Sequence, residues 1–203
     1  MRVVLNGGKV LEAHSKIIVL ENQSVAAHGQ GAPDVQEIVT HGDVSARVSM
    51  YYASGHTRLY KPFIVVEGFD PWQLNDLLCG NGNLDIELGF TNHIDFYPSW
   101  KEEFDHGDEY DLVYVDWYDS FADLKDNAEL LIKILKETIE NRKSQYCEQA
   151  VLMGQSMGGL ISRLALCKME SENTPHGVET FVSHDTPHLG ANVPVGFLYL
   201  LHH

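Results

Sequence analysis

The sequence predicts an α/β protein: a mostly parallel sheet flanked by helices, with an N-terminal antiparallel β region, and short at its C-terminus. Three observations carry this. Short, continuous apolar runs recur, at Phe63 to Gly68, at Asp111 to Trp117, in "QAVLMG" and in "ETFVSHD". Each has the length and composition of a strand buried on both faces. Segments with helical apolar spacing lie between them, and strand–helix–strand alternation implies a parallel sheet with crossover connections. The first 60 residues differ, being rich in β-branched and aromatic residues that partly alternate.

Taken in order, "KIIVLEN" and "EIVTHGDVSARVSMYYAS" read as strands of an antiparallel meander, broken by "AHGQGAPD" and His-Gly-Asp. "FIVVEG" opens the core. "CGNGNLDIELGFTNHIDFYPSW" fits neither period and reads as a long excursion over the sheet edge. "DSFADLKDNAELLIKILKETIENRK" is the clearest helix. Ala128, Leu131, Ile132, Leu135 and Ile139 share one face, and Ser120 with Asp123 resembles a capping box. "MGGLISRLALCKME" is the next helix, with Cys167 expected on its apolar side. One domain is expected over residues 1–203, a β meander over 1–60 and a core over 61–203.

Composition excludes several classes. Fourteen basic residues face 29 acidic ones, a net charge of −15. Such a charge repels phosphate backbones and anionic membrane surfaces, so no nucleic-acid partner is expected. It suits a protein soluble at high ionic strength or a secreted one. No signal peptide and no membrane-spanning run is read, which leaves the compartment unknown. Cys79, Cys147 and Cys167 are widely spaced and include no Cys-x-x-Cys pair, so neither a zinc ribbon nor thioredoxin-like chemistry is supported.

The chemistry concentrates at Gly154-Gln155-Ser156-Met157-Gly158. Gly-x-Ser-x-Gly alone is a weak signal. Here a buried strand precedes it and a helix follows, the context in which a sharp turn lifts a serine hydroxyl above a sheet. Glycines flank it because a Cβ there meets neighbouring backbone. Ser156 is therefore the candidate nucleophile, a plain strand-ending turn being the structural alternative. The Met157 N–H, at the helix start, is the first candidate oxyanion donor. Gly68 and Phe69 in "VVEGFDPWQ" follow an earlier strand, and the Phe69 N–H is the second candidate.

Three stretches in order, "PFIVVEGFDP", "VLMGQSMGGLISRLAL" and "VSHDTPHLGANVP", resemble the α/β-hydrolase superfamily, and within it bacterial lipases and esterases. Lipases carry His-Gly where this chain has Glu67-Gly68. The resemblance implies the α/β-hydrolase fold and serine ester hydrolysis through an acyl-enzyme on Ser156. It implies a small-molecule or lipid ester as substrate, no cofactor and no stable membrane insertion.

A serine nucleophile needs a histidine base oriented by a carboxylate, in the chain order Ser, acid, His. Few residues follow Ser156. Asp185, at the end of a predicted strand, is a weak candidate acid. His188 resembles a loop-shaping residue, His176 reads as surface loop, and His184, His202 and His203 complete the set. The favoured explanation is a fragment of a longer enzyme. The alternatives are a rearranged triad and a non-catalytic hydrolase-fold binding protein. Missing strands would expose a sheet edge and drive the isolated chain to oligomerise. No metal site is expected. Pro187 opposes a two-His helical motif in "HDTPH". Asn81, Asn83 and Asp85 hint at a calcium loop but lack its Gly and its terminal Glu.

Overall fold

The computed structural model describes residues 2–4, 10–12, 33–69 and 110–192. The chain divides into two compact units, Met1–Gln30 and Gly31–His203. The first unit contains a small antiparallel pair, β1 (Arg2–Val4) and β2 (Val10–Glu12), with Val3 opposite Leu11. The sequence reading placed its first strand in "KIIVLEN", which lies outside the described residues.

The second unit is built on one six-stranded sheet. Its strands are β3 (Val35–His41), β4 (Val44–Tyr51), β5 (Pro62–Val66), β6 (Asp111–Trp117), β7 (Ala150–Gln155) and β8 (Val178–His184). Their spatial order is β3-β4-β6-β5-β7-β8. β4 runs antiparallel to β3 and β6, while β5 pairs parallel with β6 and β7, and β7 pairs parallel with β8. β3 and β4 do form the expected hairpin, turning at Gly42 with φ +56°. They continue the main sheet and do not form a separate meander, because the second edge of β4 is taken by β6.

All seven residues of β6 are buried, and Ile64, Val66, Val113, Val115 and Leu152 are wholly so. Each such side chain contributes about 1.5–3 kcal/mol relative to exposure. Helix α1 (Leu124–Lys133) follows β6 and runs through a π-helical turn, Ile134–Ile139, into α2 (Glu140–Arg142). Its buried stripe is Asn127, Ala128, Leu130, Leu131, Ile134, Leu135, Thr138 and Ile139. Ile132 falls beside this stripe and is only half-buried. The expected capping box is replaced by a single residue. Asp123 is the N-cap and accepts the Lys125 N–H at 2.8 Å, while Ser120 is buried upstream of the helix.

Helix α3 (Met157–Ser171) follows β7 and buries Gly158, Gly159, Ile161, Ser162, Ala165, Leu166 and Met169. Cys167 is exposed, contrary to its expected place in the core. It lies one residue past Leu166, which turns it about 100° further around the helix from Leu166, away from the buried stripe. Among the described residues no helix is long and apolar enough to cross a membrane.

Candidate active site

The carboxyl ends of parallel strands gather the candidate residues. β5 sits centrally, with β6 on one side and β7 on the other. The chain goes from β5 to β6 on one side and then crosses to β7 on the other. Ligands in open α/β sheets bind at such a switch point, beyond the strand ends.

Ser156 is the pivot between β7 and α3. Its φ is +49° and its ψ −119°, a region that L-residues avoid and that costs of order 1–3 kcal/mol. The conformation is held from both sides. The Ser156 N–H donates to the His184 carbonyl at 2.9 Å, and the Ser156 carbonyl accepts from the Gly159 N–H at 3.1 Å. Glycines make the turn possible. A Cβ at Gly154 would strike Gly158 and Gly159 backbone, and one at Gly158 would strike the Val66 and Glu67 carbonyl oxygens. One at Gly159 would occupy the space of Thr186. The sequence reading anticipated the first two and missed Gly159. Its signal was available as a third glycine in "GQSMGG".

The turn after β5 meets this pivot directly. A Cβ on Gly68 would lie 3.0 Å from the Ser156 Cβ and 3.0 Å from the Gln155 carbonyl oxygen. The Gly68 backbone therefore abuts Ser156, and Phe69 is the next residue of that turn. Glu67 anchors that loop. It is only 4% exposed, its carboxylate accepts the Trp117 N–H at 3.2 Å, and its carbonyl accepts the Trp117 indole N–H at 3.1 Å. The departure from His-Gly noted in the sequence thus places a buried carboxylate that ties the end of β5 to the end of β6. Met157 is half-buried against the core at the first position of α3, where helix N–H groups lack intrahelical partners.

Asp185 follows β8 directly, with φ +49°, and is exposed. It stands next to His184, whose carbonyl holds Ser156, so the end of β8 and the serine turn are neighbours. Thr186, not singled out from the sequence, packs over Gly159, and its hydroxyl lies 3.5 Å from the Gly154 carbonyl. His188 shapes the same loop. Its Nε2 lies 2.7 Å from the Ser183 hydroxyl and its N–H donates to the Thr186 carbonyl at 2.9 Å. His176 accepts the Val178 N–H at 3.0 Å. Among the described residues no histidine side chain hydrogen-bonds the Ser156 hydroxyl; the contact of His184 is through its backbone carbonyl. His202 and His203 lie outside the described residues, as does the hinted calcium loop.

A His–carboxylate pair with a buried carboxylate does exist elsewhere. Asp111 is wholly buried and accepts from the Ala53, Tyr60 and Lys61 N–H groups, with His56 Nδ1 at 2.8 Å. It opens β6, opposite Pro62 at the start of β5. The strand length puts it about 20 Å from the Ser156 end of the sheet. The pair fastens the 53–61 segment to the sheet's opposite end. Nearby, burial pushes the Cys147 thiol up to about 11, against the opposing charge of Lys143. Among the described residues no cluster of His, Cys, Asp or Glu is placed to hold a metal.

The class these features define is the α/β-hydrolase fold, with a strained serine between β7 and α3. Residues 110–199 match the family model of lecithin:cholesterol acyltransferase. A search of curated protein sequences finds no match. Among solved structures, brefeldin A esterase, described as a bacterial homologue of human hormone-sensitive lipase, is 12% identical. The match covers 82% of this chain and 42% of that one, with a TM-score of 0.48. An esterase of the archaeon Pyrobaculum calidifontis is also 12% identical, over 81% of this chain and 47% of that one, at 0.48. Est1E from Butyrivibrio proteoclasticus is 13% identical, over 68% and 47%, at 0.44. The chain spans less than half the length of each.

Proposed function

We propose that the protein is a serine carboxylester hydrolase, an esterase or lipase working through an acyl-enzyme. The observation that supports this most is the strained turn at Ser156, with the Gly68 backbone packed against it. In this reading the Ser156 hydroxyl oxygen attacks the ester carbonyl carbon. Its proton passes to a histidine outside the described residues. The Phe69 and Met157 N–H groups donate to the carbonyl oxygen as it gains charge; one such donor is worth about 3–4 kcal/mol in the transition state. Collapse of the tetrahedral species expels the alcohol, which takes the proton from that histidine. Water then attacks the acyl-enzyme, releases the acid and restores the serine. Asp185 is the acid assigned to orient the base. Its support is its position, directly after β8 and beside the residue that holds Ser156.

A second reading is a hydrolase-fold binding protein without catalysis, favoured by the lack, among the described residues, of a histidine side chain on the Ser156 hydroxyl. One experiment separates the two. The chain is exposed to a fluorophosphonate and its intact mass compared with that of Ser156→Ala. Stoichiometric labelling lost in the variant is the expected result. A folded wild type that stays unlabelled would leave the binding reading standing.

A further inference from the structure

The Phe69 side chain leads from the serine turn to an aromatic partner outside the catalytic groups. Its ring meets that of Phe121 edge to face, with centroids 5.0 Å apart. Phe121 comes from the loop after β6, so the pair bridges the carboxyl ends of two adjacent strands. The loop is fixed in place. The Phe121 N–H donates to the Asp119 carboxylate at 2.8 Å, and the preceding Ser120 is buried. Yet Phe121 leaves 46% of its surface exposed. An edge-to-face pair is a specific contact. Here it sets a half-exposed apolar ring against Phe69, the residue after the Gly68 backbone that abuts Ser156.

We infer that Phe121, backed by Phe69, is the apolar wall that receives the hydrocarbon chain of the ester and sets the preference for chain length. This deepens the hydrolase reading and rests on it. Phe69 serves twice: its N–H faces the reacting carbonyl and its ring begins the wall. Phe121 touches only the chain, so it governs which ester is held and does not act on the reacting atoms. A net charge of −15 disfavours anionic ligands, and an uncharged chain suits the site.

The test uses 1-octanol and 1-butanol as uncharged chain probes, titrated into the full 203-residue chain and followed by NMR of labelled phenylalanine rings. Octanol is expected to shift the Phe69 and Phe121 signals and to bind at least about tenfold more tightly than butanol. Phe121→Ala should weaken octanol binding about fivefold and Phe121→Leu less, since it keeps apolar contact. Leu164→Ala, at an exposed position in the middle of α3, should leave it unchanged. Circular dichroism confirms that each variant is folded. If octanol leaves both rings unshifted, or binds a folded Phe121→Ala as tightly as wild type, the wall is disproved. Fluorophosphonate labelling of the same samples reports separately on Ser156, so failure of the wall and failure of the hydrolase reading are told apart.

Discussion

Ser156 holds an avoided backbone conformation, and its neighbours must leave room for the turn. Gly158 is the sharpest case, since the atoms a Cβ would meet are carbonyl oxygens of β5 and its exit turn. Backbone cannot rotate aside as a side chain does. Gly158→Ala should therefore cost roughly 3 kcal/mol, read as a lowered urea midpoint with an unchanged slope. A midpoint within error of wild type would mean that the turn is looser than described. The two described cysteines give a second expectation. Burial raises the Cys147 thiol to about 11, so at pH 8 about one molecule in a thousand carries its thiolate. Exposed Cys167 should be alkylated first by iodoacetamide, with Cys147 following only as pH climbs from 9 toward 11. The sign for stability is negative over that window, because the unfolded thiol ionises near 9 and the folded one near 11. Peptide mapping that finds Cys147 alkylated as fast as Cys167 at pH 8 would refute this. The sequence disclosed the serine and its first two glycines, because backbone crowding leaves a residue-type signature. It misplaced Cys167, whose neighbours are apolar although its own angle on the helix faces water.

The helix after β6 is capped by one carboxylate, and that is testable in isolation. Asp123→Ala removes the acceptor of the Lys125 N–H and should cost about 1 kcal/mol, while Ser120→Ala should not reproduce a capping loss. The unfolding midpoints of the two variants decide it. Ser120 and Asp123 show why caps are harder to read than strands. Several small polar residues precede this helix, and only geometry selects one of them. β6, by contrast, was legible to the residue, since its apolar run is bounded sharply on both sides. The π-helical turn at Ile134–Ile139 left no such trace, because the apolar spacing there suits a helix of either pitch. The Glu67–Trp117 link was equally hidden. A glutamate at a strand end reads as a solvent-facing group until its partner, fifty residues away, is placed beside it.

Strand order follows from the alternation of runs only as a class, and the flanks of the sheet had to be seen. Among the described residues β8 pairs with β7 alone, and its Val182 is 38% exposed. A strand edge with an exposed apolar residue invites other strands. Light scattering should show association that grows with concentration and is suppressed by Val182→Lys. A wild-type monomer across the concentration range would rule the edge out as a contact. The order β4-β6-β5 has a further consequence, in time. During synthesis β4 and β5 both leave the ribosome before β6, which must enter between them. About sixty residues separate the end of β4 from the start of β6, roughly 3–12 s of translation. For that interval Val48 and Met50, sealed in the finished protein, border an empty slot. The pace of translation across residues 52–110 thus becomes a determinant of yield, and a holdase that shields nascent strands would act on this chain during those seconds.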